Sequence, residues 1–212
     1  LADALGLEHL FRPAARVLLI THEPLRTLLS GPGARVLEMG RALARTLDVT
    51  VATPAEPALR DDGCTLAPYD PERPATLRRL AERADVLVVQ GFTLTRFPFL
   101  RTLHVPIVAD LYCPFTVEHL EMKTSATRGA GTADVPVELQ IEAASILAVQ
   151  NAQLAAADFF VCASERQRDF WLGALHTAGR INPLTYAADP SLRALVDVVP
   201  FGLPDQAFAE AA

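Results

Sequence analysis

Short aliphatic runs alternate with stretches of helical periodicity along the chain, and no other feature restricts the fold as much. Arg16–Ile20 (RVLLI), Asp48–Thr53 (DVTVAT), Asp85–Gln90 (DVLVVQ), Pro106–Asp110 (PIVAD), Asp158–Ala163 (DFFVCA) and Val196–Pro200 (VDVVP) are each five or six residues long. All six read as strands, and the unbroken apolar runs in Arg16–Ile20 and Asp85–Gln90 predict strands buried on both faces. A weaker strand covers Gly63–Pro68. Between them, Val36, Met39, Leu43 and Leu47 recur at three- or four-residue steps and predict an amphipathic helix over Ala34–Leu47. Pro74–Ala84, Val137–Ala157 (the longest) and Glu165–Ala178 read as further helices. No internal repeat is visible. Strands separated by helical crossovers require a mostly parallel sheet with helices on both faces, the doubly wound α/β class.

Composition narrows the function classes. Of 212 residues, 50% are hydrophobic, enough for one domain to bury roughly 70% of its unfolded surface. A formal net charge of −6 argues against general nucleic-acid binding, which needs a basic face. No apolar run approaches the ~18–20 residues of a spanning helix. Cys64, Cys113 and Cys162 cannot all pair and fit no zinc spacing, so a reducing, cytoplasmic compartment is the expectation. Peripheral attachment to a membrane stays open, although no basic amphipathic helix argues for it. The chain starts at Leu1 without a signal-peptide pattern, and its ends read as those of a piece of a longer protein. The polar, glycine-containing stretch 123–136 reads as a flexible loop, with a functional lid as the alternative.

In an open parallel sheet, ligands bind outside the carboxyl ends of the strands. Those ends carry Thr21-His22-Glu23, Thr53, Gln90-Gly91, Asp110, Ser164-Glu165 and Phe201-Gly202. So many hydrogen-bonding groups and glycines at one edge predict a polar small-molecule cleft. Thirteen residues separate Ile20 from Ala34, far more than the ~2–6 usual between strand and helix. This loop closes in Ser30-Gly31-Pro32-Gly33, where a helix N-terminus can hold an anion. It is no dinucleotide fingerprint, since Val36 stands where the third glycine belongs, and no Gly-Lys-Ser/Thr of a Walker loop follows. A plain turn before a helix is the alternative. Histidines 9, 22, 104, 119 and 176 are scattered, which argues against a metal site. Glu118, His119 and Glu121 either line the cleft or belong to a solvated helix face. Trp171 and Phe170 read as core, and Phe97-Pro98-Phe99 as an apolar bump, at the cleft rim or in the packing.

Three segments in order resemble a known family. Gly33-Ala-Arg-Val-Leu-Glu-Met-Gly-Arg-Ala-Leu-Ala44 after its glycine loop is similar to the "GG-x-x-R-x-x-x-x-L-A-x-A-L" start of retaining glycosyltransferases of family 4. Ala157–Trp171 resembles that family's "A-D-x-v-v-x-x-S-E-x-q-r-d-x-w", and Val196–Pro204 its "v-x-v-i-P-x-G-v-d". The resemblance spans roughly residues 15 to 204 and implies a Rossmann-like unit, one half of a GT-B fold. It implies one amino-terminal, acceptor-side domain over 1–212, with 205–212 starting the linker to a missing carboxy-terminal domain. It further implies a sugar transferred with retention from a nucleotide-sugar substrate to a glycan, lipid or small-molecule acceptor. No metal or other cofactor is expected, and the donor half is expected to come from the missing domain, leaving these residues inactive alone.

Residue by residue, Gly31 and Gly33 match the glycine loop, placed near the donor diphosphate or an acceptor phosphate. The intervening proline departs from the paired glycines and removes an N–H donor. Asp110 falls where many members carry a polar or histidine residue facing the acceptor; it can orient or deprotonate a hydroxyl, or serve as a loop cap or surface carboxylate. Ser164 and Glu165 match the S-E dipeptide, as helix cap and first-turn acid or as ligand contacts. His22, Gln90 and Gly91 complete the expected substrate-binding set. A sugar-nucleotide epimerase-like half and a non-catalytic binding or interaction module are the alternatives.

Overall fold

A computed structural model describes residues 14–59, 63–124 and 135–202. Seven strands, β1 (Arg16–Ile20), β2 (Asp48–Thr53), β3 (Thr65–Pro68), β4 (Val86–Gln90), β5 (Ile107–Asp110), β6 (Phe159–Cys162) and β7 (Val196–Val198), form one sheet. Every pairing is parallel and the order is β3-β2-β1-β4-β5-β6-β7. The helices are α1 (Gly31–Leu43), α2 (Pro74–Ala81), α3 (Thr93–Arg96), α4 (Phe115–Thr124), α5 (Val137–Ala156), α6 (Glu165–Thr177) and α7 (Pro183–Ala188). The doubly wound α/β expectation holds. Periodicity missed α3, α4 and α7, and α3 and α7 are too short for a 3.6-residue repeat to register. Most of the 123–136 stretch, and all of 205–212, lie outside the described residues.

Strand side chains alternate between two cores. Leu18, Ile20, Leu87, Val89, Phe160 and Trp171 belong to the core on one face. Val17, Leu19, Val49, Val51 and Val88 meet Val36 of α1 on the other. This double burial explains why the strands read as continuous aliphatic runs. Helix α1 lies so near β2 that a Cβ on Gly40 would stand 2.9 Å from Val51 Cγ2.

Strand order reverses direction between β1 and β4. Chain connections run outward from β1 to β2 and β3 on one side, and from β4 to β7 on the other. In sheets of this class such a reversal marks the ligand crevice, outside the carboxyl ends of the two strands that flank it, here β1 and β4. At the opposite end, Arg16 clamps β1 to β4: its Nη2 lies 2.7 Å from Asp85 Oδ1, and its backbone N–H donates to Oδ2 at 2.9 Å.

Two outcomes follow for stability. Gly40→Val forces atoms against the fully buried Val51 and should cost about 1–3 kcal/mol in urea unfolding. The hydrogen bonds from Arg16, side chain first, hold the Asp85 carboxyl at about 2, below its ordinary 3.8. A depressed carboxylate stabilises the fold above its unfolded value and loses that effect as pH falls through its folded one. Thermal melting of wild type should therefore exceed that of Asp85→Asn at neutral pH, and the gap should close between 3.8 and about 2.

Candidate functional site

The long connection after β1 is folded, not slack. Leu25 is buried in the α1-side core, its N–H donates to Thr53 Oγ1 at 3.1 Å, and the Tyr69 hydroxyl donates to the Thr21 carbonyl at 2.9 Å. Burial pushes the Tyr69 phenol up to about 12, so it stays a donor. Thr53, a polar strand end, thus serves to pin this loop. The pinning sets His22 and Glu23 at the crevice between β1 and β4, both partly exposed.

Gly91, just past β4, makes room for His22. Its φ is +53°, and a Cβ there would stand 2.6 Å from His22 Cε1 and 2.8 Å from Nδ1. Glycine is needed twice over, for the left-handed backbone and for the close approach. His22 Nδ1 is buried without a hydrogen-bond partner, while Nε2 lies 3.5 Å from Glu23 Oε1. Burial lowers the His22 pKa below its ordinary 6.5, outweighing the opposing effect of Glu23, so the imidazole is neutral at pH 7. Phe92 stands edge-on to His22 with centroids 6.3 Å apart and tilts against Phe115.

The Gly-Pro-Gly segment is the first turn of α1 and not a loop before it. Ser30 is the N-cap: its Oγ accepts from the Gly33 N–H at 3.2 Å, and Pro32 suits the first turn. The Ala34 N–H donates to the Ser30 carbonyl at 2.9 Å. Ser30 Oγ also donates to Glu23 Oε2 at 3.2 Å. At the expected phosphate seat of Gly31 and Gly33, the Glu23 carboxylate stands beside the helix start and the Gly33 N–H is taken by its own N-cap.

Asp110 also needs correction as an acceptor-side base. It is 0% exposed and faces Arg35 of α1, itself 4% exposed. Arg35 Nε reaches Asp110 Oδ1 and Oδ2 at 3.0 and 2.9 Å, and Nη2 reaches Oδ1 at 2.9 Å. Gln90 Nε2 donates to Oδ2 at 2.9 Å, leaving its own Oε1 buried and unpartnered. Three N–H groups, from Arg35 Nε, Arg35 Nη2 and Gln90 Nε2, converge on this buried carboxylate, so Asp110 positions Arg35 and is shut off from an acceptor hydroxyl. The Phe201 ring covers the guanidinium at 4.8 Å. Arg35 belongs to the Gly33–Ala44 segment, and its pairing with Asp110 across 75 residues leaves no local sequence signal.

The remaining candidates divide. Ser164 caps α6 by accepting from the Gln167 N–H at 3.2 Å, and Glu165 of the first turn pairs with Arg193 at 2.7 Å. Both sit at the same sheet edge in structural roles. Phe97 is 2% exposed and stacks edge-on with Tyr69, so it packs inward, whereas Pro98 is exposed and Phe99 half-buried. Trp171 is core, its Nε1 donating to the Leu111 carbonyl at 3.0 Å, whereas Phe170 is 43% exposed, contrary to its core reading. Burial, helped by Glu118, pushes the Cys113 thiol up to about 12, which removes it as a nucleophile. Among the described residues no group of three or more His, Cys, Asp or Glu is arranged to hold a metal, and no helix is long and apolar enough to cross a membrane. Two grooves, of about 770 and 340 Å³, open near the amino ends of β2 and β3 and of β1, away from this edge.

No family model and no curated protein matches the chain. Solved structures do. Sucrose-phosphate synthase from Thermosynechococcus elongatus matches at 13% identity and TM-score 0.50, over 89% of this chain and 48% of that one. UGT73P12 of Glycyrrhiza uralensis, complexed with glycyrrhetinic acid 3-O-monoglucuronide, matches at 12% identity and TM-score 0.46, over 86% and 52%. A short-chain dehydrogenase/reductase from Veillonella parvula in complex with NADP matches at 11% identity and TM-score 0.40, over 71% and 70%. The chain spans about half the length of the first two. The first likeness shows the fold alone, a Rossmann-like unit that spans about half of that chain; the other two carry no argument.

Arg35→Ala leaves the Asp110 carboxylate buried and unpaired. It should cost about 3–5 kcal/mol in urea unfolding, with Arg35→Lys recovering only part because lysine lacks the two-pronged fork.

Proposed function

We propose that this chain is the amino-terminal, acceptor-binding half of a nucleotide-sugar-dependent glycosyltransferase that transfers with retention. The observation that carries the reading is the division of labour at the sheet's carboxyl edge. His22, Glu23 and Ser30 present hydrogen-bonding groups there, whereas Arg35 beneath them is spent on Asp110. Such an edge suits hydroxyl recognition. A departing diphosphate calls for preorganised cations or dipoles aimed at its developing charge, and in this reading the second half of the enzyme supplies them. The half-length likeness to a sucrose-phosphate synthase and the three family-like segments support it.

In this mechanism the chain's residues bind and orient. Glu23 accepts from an acceptor hydroxyl, the neutral His22 donates from Nε2, and Phe92 walls the crevice against water. Holding the hydroxyl next to the donor's anomeric carbon converts a bimolecular encounter into an oriented one. A base is not required of this half, since in a retaining transfer the leaving diphosphate itself can take the hydroxyl proton.

The test incubates the 212-residue chain with UDP-, GDP- and ADP-sugars and candidate acceptors, with and without a second Rossmann-like half supplied in the same polypeptide. Nucleoside diphosphate release and the anomeric configuration of the product are followed. Transfer only with the second half, giving a product of the donor's configuration, is expected. Transfer by the 212 residues alone, or an inverted product, overturns the reading.

A further inference from the structure

We propose that the His22–Glu23–Ser30 group selects an uncharged, polyhydroxylated acceptor, a sugar or a cyclic polyol, and turns away its phosphate esters. This inference rests on the transferase reading and specifies its substrate class. His22 Nδ1 is packed against Gly91 with no partner. A proton there would be a buried, unpaired donor, so the neutral ring carries its proton on Nε2. That N–H and Glu23 Oε1 stand 3.5 Å apart, longer than a good hydrogen bond and side by side at the surface of the crevice. A donor next to a carboxylate acceptor matches two neighbouring hydroxyls, one accepting from Nε2 and the other donating to Glu23. Ser30 Oγ holds the carboxylate from behind at 3.2 Å. Phe92, 40% exposed and edge-on to His22, provides an apolar wall for the C–H face of a ring.

A phosphate ester meets the reverse of what it needs. The Glu23 carboxylate stands at the start of α1, where an anion would otherwise sit, and the Gly33 and Ala34 N–H groups are consumed by Ser30. Arg35, buried below, is neutralised by Asp110. Arg26 is the one cation of the β1–α1 loop; it is exposed, and it offers the competing route by which a phosphate would bind.

The experiment measures binding to the chain, with no donor present, by saturation-transfer NMR and calorimetry. The probes are glucose, galactose, mannose and myo-inositol beside glucose 6-phosphate, mannose 6-phosphate and inositol 1-phosphate. At least one neutral probe should bind about tenfold or more tightly than its phosphate. Glu23→Gln should weaken neutral binding about tenfold, the worth of a hydrogen bond to a charged group, and narrow the discrimination against phosphate. His22→Phe should weaken it similarly, and Glu82→Gln, at the α2 C-cap before the amino end of β4, should leave it unchanged. Circular dichroism melts of each variant separate lost binding from lost folding. Phosphates bound as tightly as the neutral probes, by way of Arg26 or otherwise, no binding by any neutral probe, or unchanged binding in folded Glu23→Gln overturns the proposal. Because no donor is present, such failures leave the transferase reading to its own assay.

Discussion

The buried Arg35–Asp110 pair joins the parts of this molecule that matter for its carboxyl edge. Arg35 rides on α1, Asp110 ends β5, and Gln90, which ends β4, donates to the same carboxylate. One carboxylate thereby ties the first crossover helix to the two strands beyond the point where the sheet reverses its order. Taking both charges out of water is costly, and only the complete set of hydrogen bonds repays it. The arrangement tolerates no slippage: any shift of α1 along the sheet strands a charge.

From that anchor the crevice follows. With α1 held, its Ser30 cap is held, and with Ser30 the Glu23 carboxylate. The connection over residues 21–30 is stitched to β2 by Thr53 and to β3 by Tyr69, next to Pro68, so its length does not mean looseness. His22 then lies over Gly91, where the lack of a Cβ leaves room for the ring. Phe201, after β7, closes over the Arg35 guanidinium, so the last described residues of the chain also rest on the same cation.

Much of the fold was legible because it depends on local rules. Aliphatic strands, the spacing of Val36, Met39 and Leu43, and the Ser164 cap are properties of neighbouring residues, and each recurs in the structure within a few residues of its expected bounds. The start of α1 was misplaced by three residues because Gly-Pro-Gly reads as a breaker, whereas Ser30 as N-cap turns the same residues into a first turn. The site was legible only in outline. Strand ends pointed to the edge at which His22, Gln90 and Gly91 lie. They could not show that Asp110 turns inward to Arg35, nor that Glu23 occupies the place offered to a phosphate, since both depend on partners elsewhere in the chain or on how a long loop folds back.

The sequence by itself determined the class of architecture, the edge of the sheet that carries the polar groups, and the acidic character of the chain. Hydrophobic periodicity and turn chemistry are short-ranged and are written in consecutive residues. Only the tertiary structure decided which of the charged groups at that edge are sequestered and which stay open to a ligand. That choice turns on contacts such as Arg35 with Asp110, 75 residues apart, and on the low dielectric of the interior, which permits a buried charge only where its partner is waiting.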